Sequence, residues 1–332
     1  MTIWIARLRF HRAVRFGLQG IGLESVEETC RSDTLFSAIV HAWLDLFGAK
    51  HTEKFLRDSV AGKPPFVVSS GFLFHEETLF LPRPRIPPTR FHPAAEAELY
   101  FKDVSRCSYV PLDTFEKWVR REPLDVEKLI EANRHYAAST AEQVVPHVAL
   151  DRISAASQIY LSAHVLFADH CGLWVLVKIF DDSIVGSVQA AFRILGEKGL
   201  GGDKSLGLGA FELEGNALQP APAALKRLFE MNQPSVFLTL SLFHPPEHEL
   251  EMIDGTASYS VIRRKGWISS PVTGANLKRK SVSMFVEGSV FGQEFKGHLV
   301  DVTPNSWREM SLHPVYRNGF ALMVPVRVSE AP

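Results

Sequence analysis

An α+β fold in two units is predicted from three observations on the sequence. At 332 residues the chain is longer than one core usually organises. Its first part runs roughly β-α-β, insertion, β-β-α-β, whereas the remainder is shorter and richer in strand patterns. Hydrophobic residues make up 46% and charged residues 22%, an ordinary globular balance that can build real cores. The formal net charge of −1 leaves no global basic signature, so any nucleic-acid contact has to come from local patches.

The elements follow in order. In "TIWIARLRFH", Trp4, Ala6, Leu8 and Phe10 alternate onto one face, and Arg7, Arg9 and His11 fall on the other beside Ile3 and Ile5. That is a strand with one apolar and one partly basic face. A loop containing "GLQGIGLES" precedes "RSDTLFSAIVHAWLDLFG". There Leu35, Phe36, Ile39, Val40, Trp43, Leu44 and Phe47 repeat at helical spacing, with Ser32 or Asp33 as N-cap and Gly48 as C-cap. Residues 66–81 read as two short strands, and the proline-rich "PRPRIPPTRFHP" as a loop or edge segment.

Helical patterns fill 112–137, and "QVVPHVALDRISAASQIYLSAHVLF" reads as two strands around a polar tip near "DRISAAS". The continuous apolar run "GLWVLVKIF" marks a central strand. "SIVGSVQAAFRILG" places Ile184, Val188, Ala191, Phe192 and Leu195 on one helical face, and a glycine-rich stretch then enters the strand-like "AFELEG". The proline-bearing "NALQPAPAALKRLFEMNQP" is the expected linker, and "SVFLTLSLF", "TASYSVIRRKGW", "SVSMFVEGSVF", "FKGHLVDV" and "FALMVPVRV" are strands beyond it. Residues 1–218 thus suit a ferredoxin-like unit with an insertion at about 50–140, followed by a second unit over 232–332. No repeat of solenoid period is present.

The stretch "GEKGLGGDKSLGLGAFE", residues 196–212, carries six of the 22 glycines. A Walker A loop needs Lys directly after its glycine turn, but here Asp203 precedes Lys204. A dinucleotide fingerprint follows a strand and opens a helix, and this run does the reverse. What remains is backbone that approaches a ligand closely. Gly199, Gly201, Gly202 and Gly207 would aim N–H groups at an anion, while Lys198, Lys204 and Ser205 supply charge and a hydroxyl. The bland alternative is a mobile helix-to-strand connection.

Other chemistry is thin. Cys30, Cys107 and Cys171 are odd in number and far apart, which fits neither a disulfide framework nor a zinc pair. His164, Asp169, His170 and Cys171 lie close in sequence, but a strand-to-turn change breaks them up, so no metal and no cofactor are expected. His11 and His41 are the obvious acid–base candidates; His41 reads as helix surface and His11 has no assignable partner, so no residue is assigned to catalysis. Two basic clusters flank one apparent hairpin: Arg263, Arg264 and Lys265 beside Trp267, and Lys278, Arg279 and Lys280. They suit phosphate gripping with aromatic stacking, or a solvated hairpin tip. No apolar run is long enough for a bilayer and no signal-peptide core opens the chain, so a soluble cytoplasmic protein without a membrane partner is expected.

"RSDTLFSAIVHAW", "HVALDRISAASQIY", "GLGGDKSLGLGAFE" and "HPVYRNGFALMVPV" occur in that order. Together they resemble the RAMP superfamily of CRISPR proteins, and more narrowly the fourth Csm subunit of type III-A interference complexes. The resemblance implies two ferredoxin-like (RRM-like) folds in tandem and a non-catalytic subunit that holds the repeat-derived 5′ tag of the crRNA. The implied partners are the large signature subunit and the repeated backbone RAMP subunit, with target RNA reached only indirectly. The candidate RNA-binding residues are then Arg7, Arg9 and His11 on the first strand, and Arg31 and Ser32 at the first helix. They continue with His147 and Arg152 on the hairpin, Gly199, Gly201, Gly202, Lys204, Ser205 and Gly207 in the loop, and Arg264, Lys278, Arg279 and Lys280 in the second unit. Two alternatives stay open. One is the RAMP endoribonuclease that matures crRNA precursors, whose glycine loop lies near the C-terminus, whereas about 120 residues follow it here. The other is a Cmr-type cap subunit.

Overall fold

The computed structural model describes residues 2–327 apart from 18–22, 89–90, 93–103, 105, 152–155, 232, 271–272 and 274–276. Its main sheet is built around β1, Thr2–Phe10. After helix α1 (Ser32–Val60) the chain adds β2 (Phe66–Val68), β3 (Phe72–His75), β4 (Thr78–Pro82) and β5 (Tyr109–Pro111). Helices α2 (Leu112–Val119) and α3 (Val126–Ala138) lead into a long hairpin of β6 (Thr140–Leu150) and β7 (Ser157–Phe167). The sheet then receives β8 (Cys171–Ile179) and, after helix α4 (Val185–Lys198), β9 (Phe211–Leu213). Strand order is β9-β1-β8-β3-β4-β5, antiparallel throughout, with β2 also pairing β8.

The apolar run that predicted a central strand is β8, buried along its length except at Lys178 and paired with β1 so that Leu8 faces Leu173 and Ile5 faces Leu176. Helices α1 and α4 pack against each other on the sheet. Helix α1 does not end at Gly48, as the sequence led us to expect. Gly48 takes φ 76° and ψ 174°, and helical geometry resumes beyond it to Val60. Phe36 and Phe55 stack at 5.8 Å, although an unbroken helix would set them about 28 Å apart. The glycine is therefore a kink that folds α1 into two facing arms, closed by Trp43 stacking on Phe55 at 5.6 Å.

The stretch expected as a linker is also ordered. Gln219–Pro220 forms β10 beside β1, and Ala223–Phe229 forms α5 with Leu225 and Leu228 buried. These join one contiguous hydrophobic core that continues into Val236, Leu238 and Leu240. Apolar residues at helical spacing outweighed the prolines: Pro220 sits in β10, and Pro222 at the helix start, where its missing N–H costs nothing.

The C-terminal unit consists of small antiparallel sheets: β11 (Val236–Thr239), β12 (Val261–Arg264) with β13 (Val282–Phe285), β14 (Val290–Phe291), β15 (Gly297–Asp301) with β16 (Tyr316–Phe320), and β17 (Met323–Val326). Strand β11 lies between β14 and β17. A phenylalanine cluster of Phe243, Phe285, Phe291 and Phe295 is its own core. The molecule is thus a mixed α/β protein with antiparallel sheets, and among the described residues no helix is long and apolar enough to cross a membrane.

Candidate nucleic-acid interface

The glycine loop is an ordered structure laid on the segment that follows β1. Gly209 donates its N–H to Ala13 O at 3.0 Å, Gly202 to Arg15 O at 2.8 Å, and Leu200 to Gly209 O at 2.8 Å. A Cβ on Gly201 would lie 2.5 Å from Arg15 O, and Gly201 has φ 98°, so this close backbone approach admits glycine alone. The expectation that Gly199, Gly201, Gly202 and Gly207 aim successive N–H groups at an anion is overturned for all of them but Gly201. Those of Gly199, Gly202, Gly207 and Gly209 are all spent on the chain's own carbonyls. The loop needs glycine in order to pack on itself.

The side chains at the tip are free to do more. Asp203 adopts a left-handed φ of 56° and turns inward, where it accepts from Ser162 Oγ at 3.4 Å and lies 3.5 Å from His164 Nε2 and 3.7 Å from Arg15 Nε. The carboxylate that argued against a phosphate site is therefore tied to the base of the hairpin. Lys204, Ser205 and Gly207 stay exposed. Arg12, which sequence reasoning passed over, is exposed with Nη1 beside Gly207. Lys204 is close enough to His41 to lower the affinity of its imidazole for a proton, after burial, which is the larger cause.

The hairpin is the second component. Its base is locked to the post-β1 segment by reciprocal bonds between Val14 and Val165 at 2.9 and 2.8 Å. Beyond the base it projects into solvent with Val148, Leu150, Ile159 and Tyr160 exposed. A two-stranded ribbon with apolar residues in water is marginal by itself and is suited to being covered. His147 stacks on Tyr160 at 5.3 Å, and its Nε2 is buried without a hydrogen-bond partner. Arg152, expected at the tip, lies outside the described residues.

Several expected RNA contacts are instead occupied by the protein. The basic side chains of β1 and of His11 just beyond it meet the acidic ones of β9 and of Glu214 just after it: Arg7 Nε lies 2.8 Å from Glu214, Arg9 pairs with the same carboxylate, and His11 Nε2 lies 3.1 Å from Glu212. Arg7 also pairs with Glu77 at 3.2 Å. Glu76, Glu77, Glu212 and Glu214 line the pocket here together with Arg7 and Arg9, so carboxylates outnumber guanidiniums and disfavour phosphate.

The start of α1 is likewise no phosphate clamp. Arg31 supplies the cap position through its backbone, and its guanidinium binds Glu27 at 2.8 Å and pairs with Glu287 of the second unit. Ser32 is fully buried; its hydroxyl accepts from Leu242 N at 3.0 Å, and its N–H donates to Ser70 Oγ. Asp33 neither caps the helix nor reaches solvent. Arg264 binds it through Nε at 3.0 Å and Nη2 at 2.9 Å, and Arg317 pairs with it from β16. Arg31, Ser32 and Arg264 are therefore struts between the two units.

Of the second basic cluster, Lys280 is exposed and Lys278 sits 5.1 Å from the ring centre of Trp267, a cation over an exposed indole. Arg279 turns inward. Among the described residues no group of histidine, cysteine and carboxylate side chains could hold a metal ion. Cys171 lies 3.3 Å from His75 Nδ1, but burial pushes its thiol up, away from the thiolate a nucleophile needs.

Comparison with known proteins gives the class first: the chain is similar to CRISPR-associated proteins. Residues 232–326, nearly the whole C-terminal unit, match the family described as the CRISPR Csm4 C-terminal domain. The chain as a whole is similar to the CRISPR system Cms protein Csm4 of Streptococcus thermophilus, with 25% identity over 291 residues that cover 85% of this chain and 87% of that protein. The fold is shared with a chain of the crystal structure of the Csm3–Csm4 subcomplex in the type III-A CRISPR-Cas interference complex, at a TM-score of 0.66 and 15% identity, covering 98% and 100% of the two chains. A chain of the crystal structure of the Csm1–Csm4 cassette in complex with pppApA gives 0.60 and 20%, covering 99% and 100%. The likeness to the fourth Csm subunit thus runs through nearly the whole chain.

Proposed function

We propose that this chain is a non-catalytic RNA-binding subunit of a type III-A CRISPR (Csm) effector complex, holding the 5′ tag of the crRNA and tying the large signature subunit to the backbone RAMP subunit. The observation that carries this reading is the fixed glycine-loop tip. Lys204 and Ser205 are exposed on the same short tip as Gly207, which lies beside Arg12, while the tip's own carboxylate, Asp203, is turned inward. A rigid cationic edge beside a projecting ribbon suits a single strand whose backbone is gripped and whose bases are splayed. The strand order β9-β1-β8-β3, with α1 and α4 as connections, supports a ferredoxin-like first unit, and we read the second unit as a reduced relative of it.

In the assembled complex, Lys204→Glu is expected to weaken tagged-crRNA binding by about tenfold or more, and Lys204→Ala to lower the salt slope of log affinity by about one. Electrophoretic shift at several salt concentrations measures both, and unchanged affinity removes the loop from the site. One observation favours a second reading. His11 and Glu212 form a solvent-open pair at 3.1 Å that could act in acid–base chemistry. Incubating the purified chain with repeat RNA tests it; the proposed function expects intact RNA, and site-specific cleavage lost in His11→Ala would assign the maturation endoribonuclease instead.

A further inference from the structure

The polar cluster between the two units does not balance. Arg264 and Arg317 share Asp33, and Arg279 lies near enough to both for their charges to act on it, so three guanidinium groups surround one carboxylate. Among the described residues Arg279 has no ion pair, and its Nε is buried without a hydrogen-bond partner. Burial first, and Arg317 second, pull its pKa down to about 10. A guanidinium set in a protein without a counter-charge of its own is costly, and Asp33, already paired with Arg264 and Arg317, leaves Arg279 as the surplus positive charge.

Arg279 opens onto a cleft of about 690 Å³. One side is formed by the two arms of α1, with Val40 and Leu44 on the first and Leu56 on the second; Ile268 and Val315 face them from the C-terminal unit. The first arm contributes Phe36 to Leu44, about 12 Å or two helical turns. The other charged or titratable groups facing the cleft are Glu53 and Arg57 of the second arm, which oppose each other in sign, and His41, His313 and Tyr316. Its occupant must therefore be mostly apolar, short, and carry one anionic group.

We propose that this cleft docks a short segment of a partner protein, placing two apolar side chains about one helical turn apart between the arms of α1 and a carboxylate on Arg279. An RNA strand fits less well. Successive phosphates call for a track of cations, whereas the described lining of the cleft holds two arginines, Arg279 and Arg57, the latter one helical turn from Glu53, among mostly apolar side chains. A carboxylate suits the fork of a guanidinium whose Nε is still unused.

Selection from a random phage-displayed peptide library on the immobilised full chain tests this, with the selected peptides remade synthetically and measured by fluorescence anisotropy. The expected peptides carry Asp or Glu among apolar residues. Arg279→Met should weaken them by about tenfold or more, and changing the peptide's acid to its amide should cost the same in the native chain but almost nothing in Arg279→Met. That variant relieves repulsion from Arg317 and Arg264, so its thermal midpoint should hold or rise. Val60→Asp, at the exposed rim of the cleft, gives a second variant that leaves the core untouched. No enrichment, peptides without acidic preference, or affinity unchanged in both variants would overturn the proposal. Displacement of the peptide by single-stranded oligouridylate would assign the cleft to RNA.

Discussion

Asp33→Ala is expected to destabilise the protein by about 3–5 kcal/mol, the cost of leaving buried charges without their partner. Against a typical total of about 5–15 kcal/mol this is enough to unfold much of the population. The residue is nearly inaccessible, and its removal would leave Arg264 and Arg317 facing Arg279 with no anion between them. Burial pushes the Asp33 carboxyl up, but Arg264 and Arg317 outweigh it and hold it below the usual value of 3.8. A carboxylate depressed in this way contributes stability that is fully present above its unfolded value and is lost only as pH falls through the lower native one. Urea unfolding of the Ala and Asn variants should therefore show a large loss at neutral pH that narrows in strong acid, where the native carboxyl is protonated too. Asp301→Ala is the control: Asp301 pairs with Arg308 where both are about half exposed, and pairs of this kind contribute under about 1 kcal/mol. Equal losses in the two variants would mean that the inter-unit cluster carries no special weight.

That cluster shows where the sequence stopped being informative. The strand at "GLWVLVKIF" and the helix beginning "SDTLF" were legible because their signals are local, an unbroken apolar run and a 3.6-residue repeat. Asp33 finds its partners 231 and 284 positions away, and nothing near a polar residue in a helix's first turn separates a cap from a buried strut. Ser32 misled for the same reason, since a serine before an apolar run is the usual cap signature, yet its hydroxyl serves Leu242. The charges on β1 could have been read further. In "AFELEG", Glu212 and Glu214 alternate to one face as Arg7 and Arg9 do on β1, and the pairing of Arg9 with Glu212 brings those faces together. Once the two strands were taken as neighbours, the basic face was already neutralised. The candidate RNA surface was half visible: Lys204 and Ser205 stood out by composition, while Arg12 gained meaning only when the loop was seen folding back beside it.

Gly209→Val is expected to have the largest effect of any loop substitution, because it strikes the fold of the loop before it strikes any ligand. Gly209 has φ 78°, and a Cβ there would overlap the carbonyl oxygen of Leu200, the residue whose N–H bonds to Gly209 O. Left-handed backbone costs a non-glycine residue about 1–2 kcal/mol, and forcing extra atoms into packed structure costs about 1–3 kcal/mol more. The base of the loop should open and the bond from Gly209 N to Ala13 O should break, releasing the tip that carries Lys204. We expect a loss of about 2–5 kcal/mol by chemical denaturation, summed from those two costs. Tagged-crRNA affinity should fall at least as far as in Lys204→Glu. Gly207→Ala separates conformation from collision: its φ is 77°, but a Cβ would meet only Nη1 of Arg12, at 3.3 Å and on a flexible side chain. That variant should lose about 1–2 kcal/mol from the backbone alone and keep most of its RNA binding. If Gly209→Val kept its stability but lost RNA, the glycines would be touching the ligand directly. Loss of both, with Gly207→Ala spared, identifies the glycines as what holds the loop against Ala13–Arg15 and so fixes the cationic tip in place.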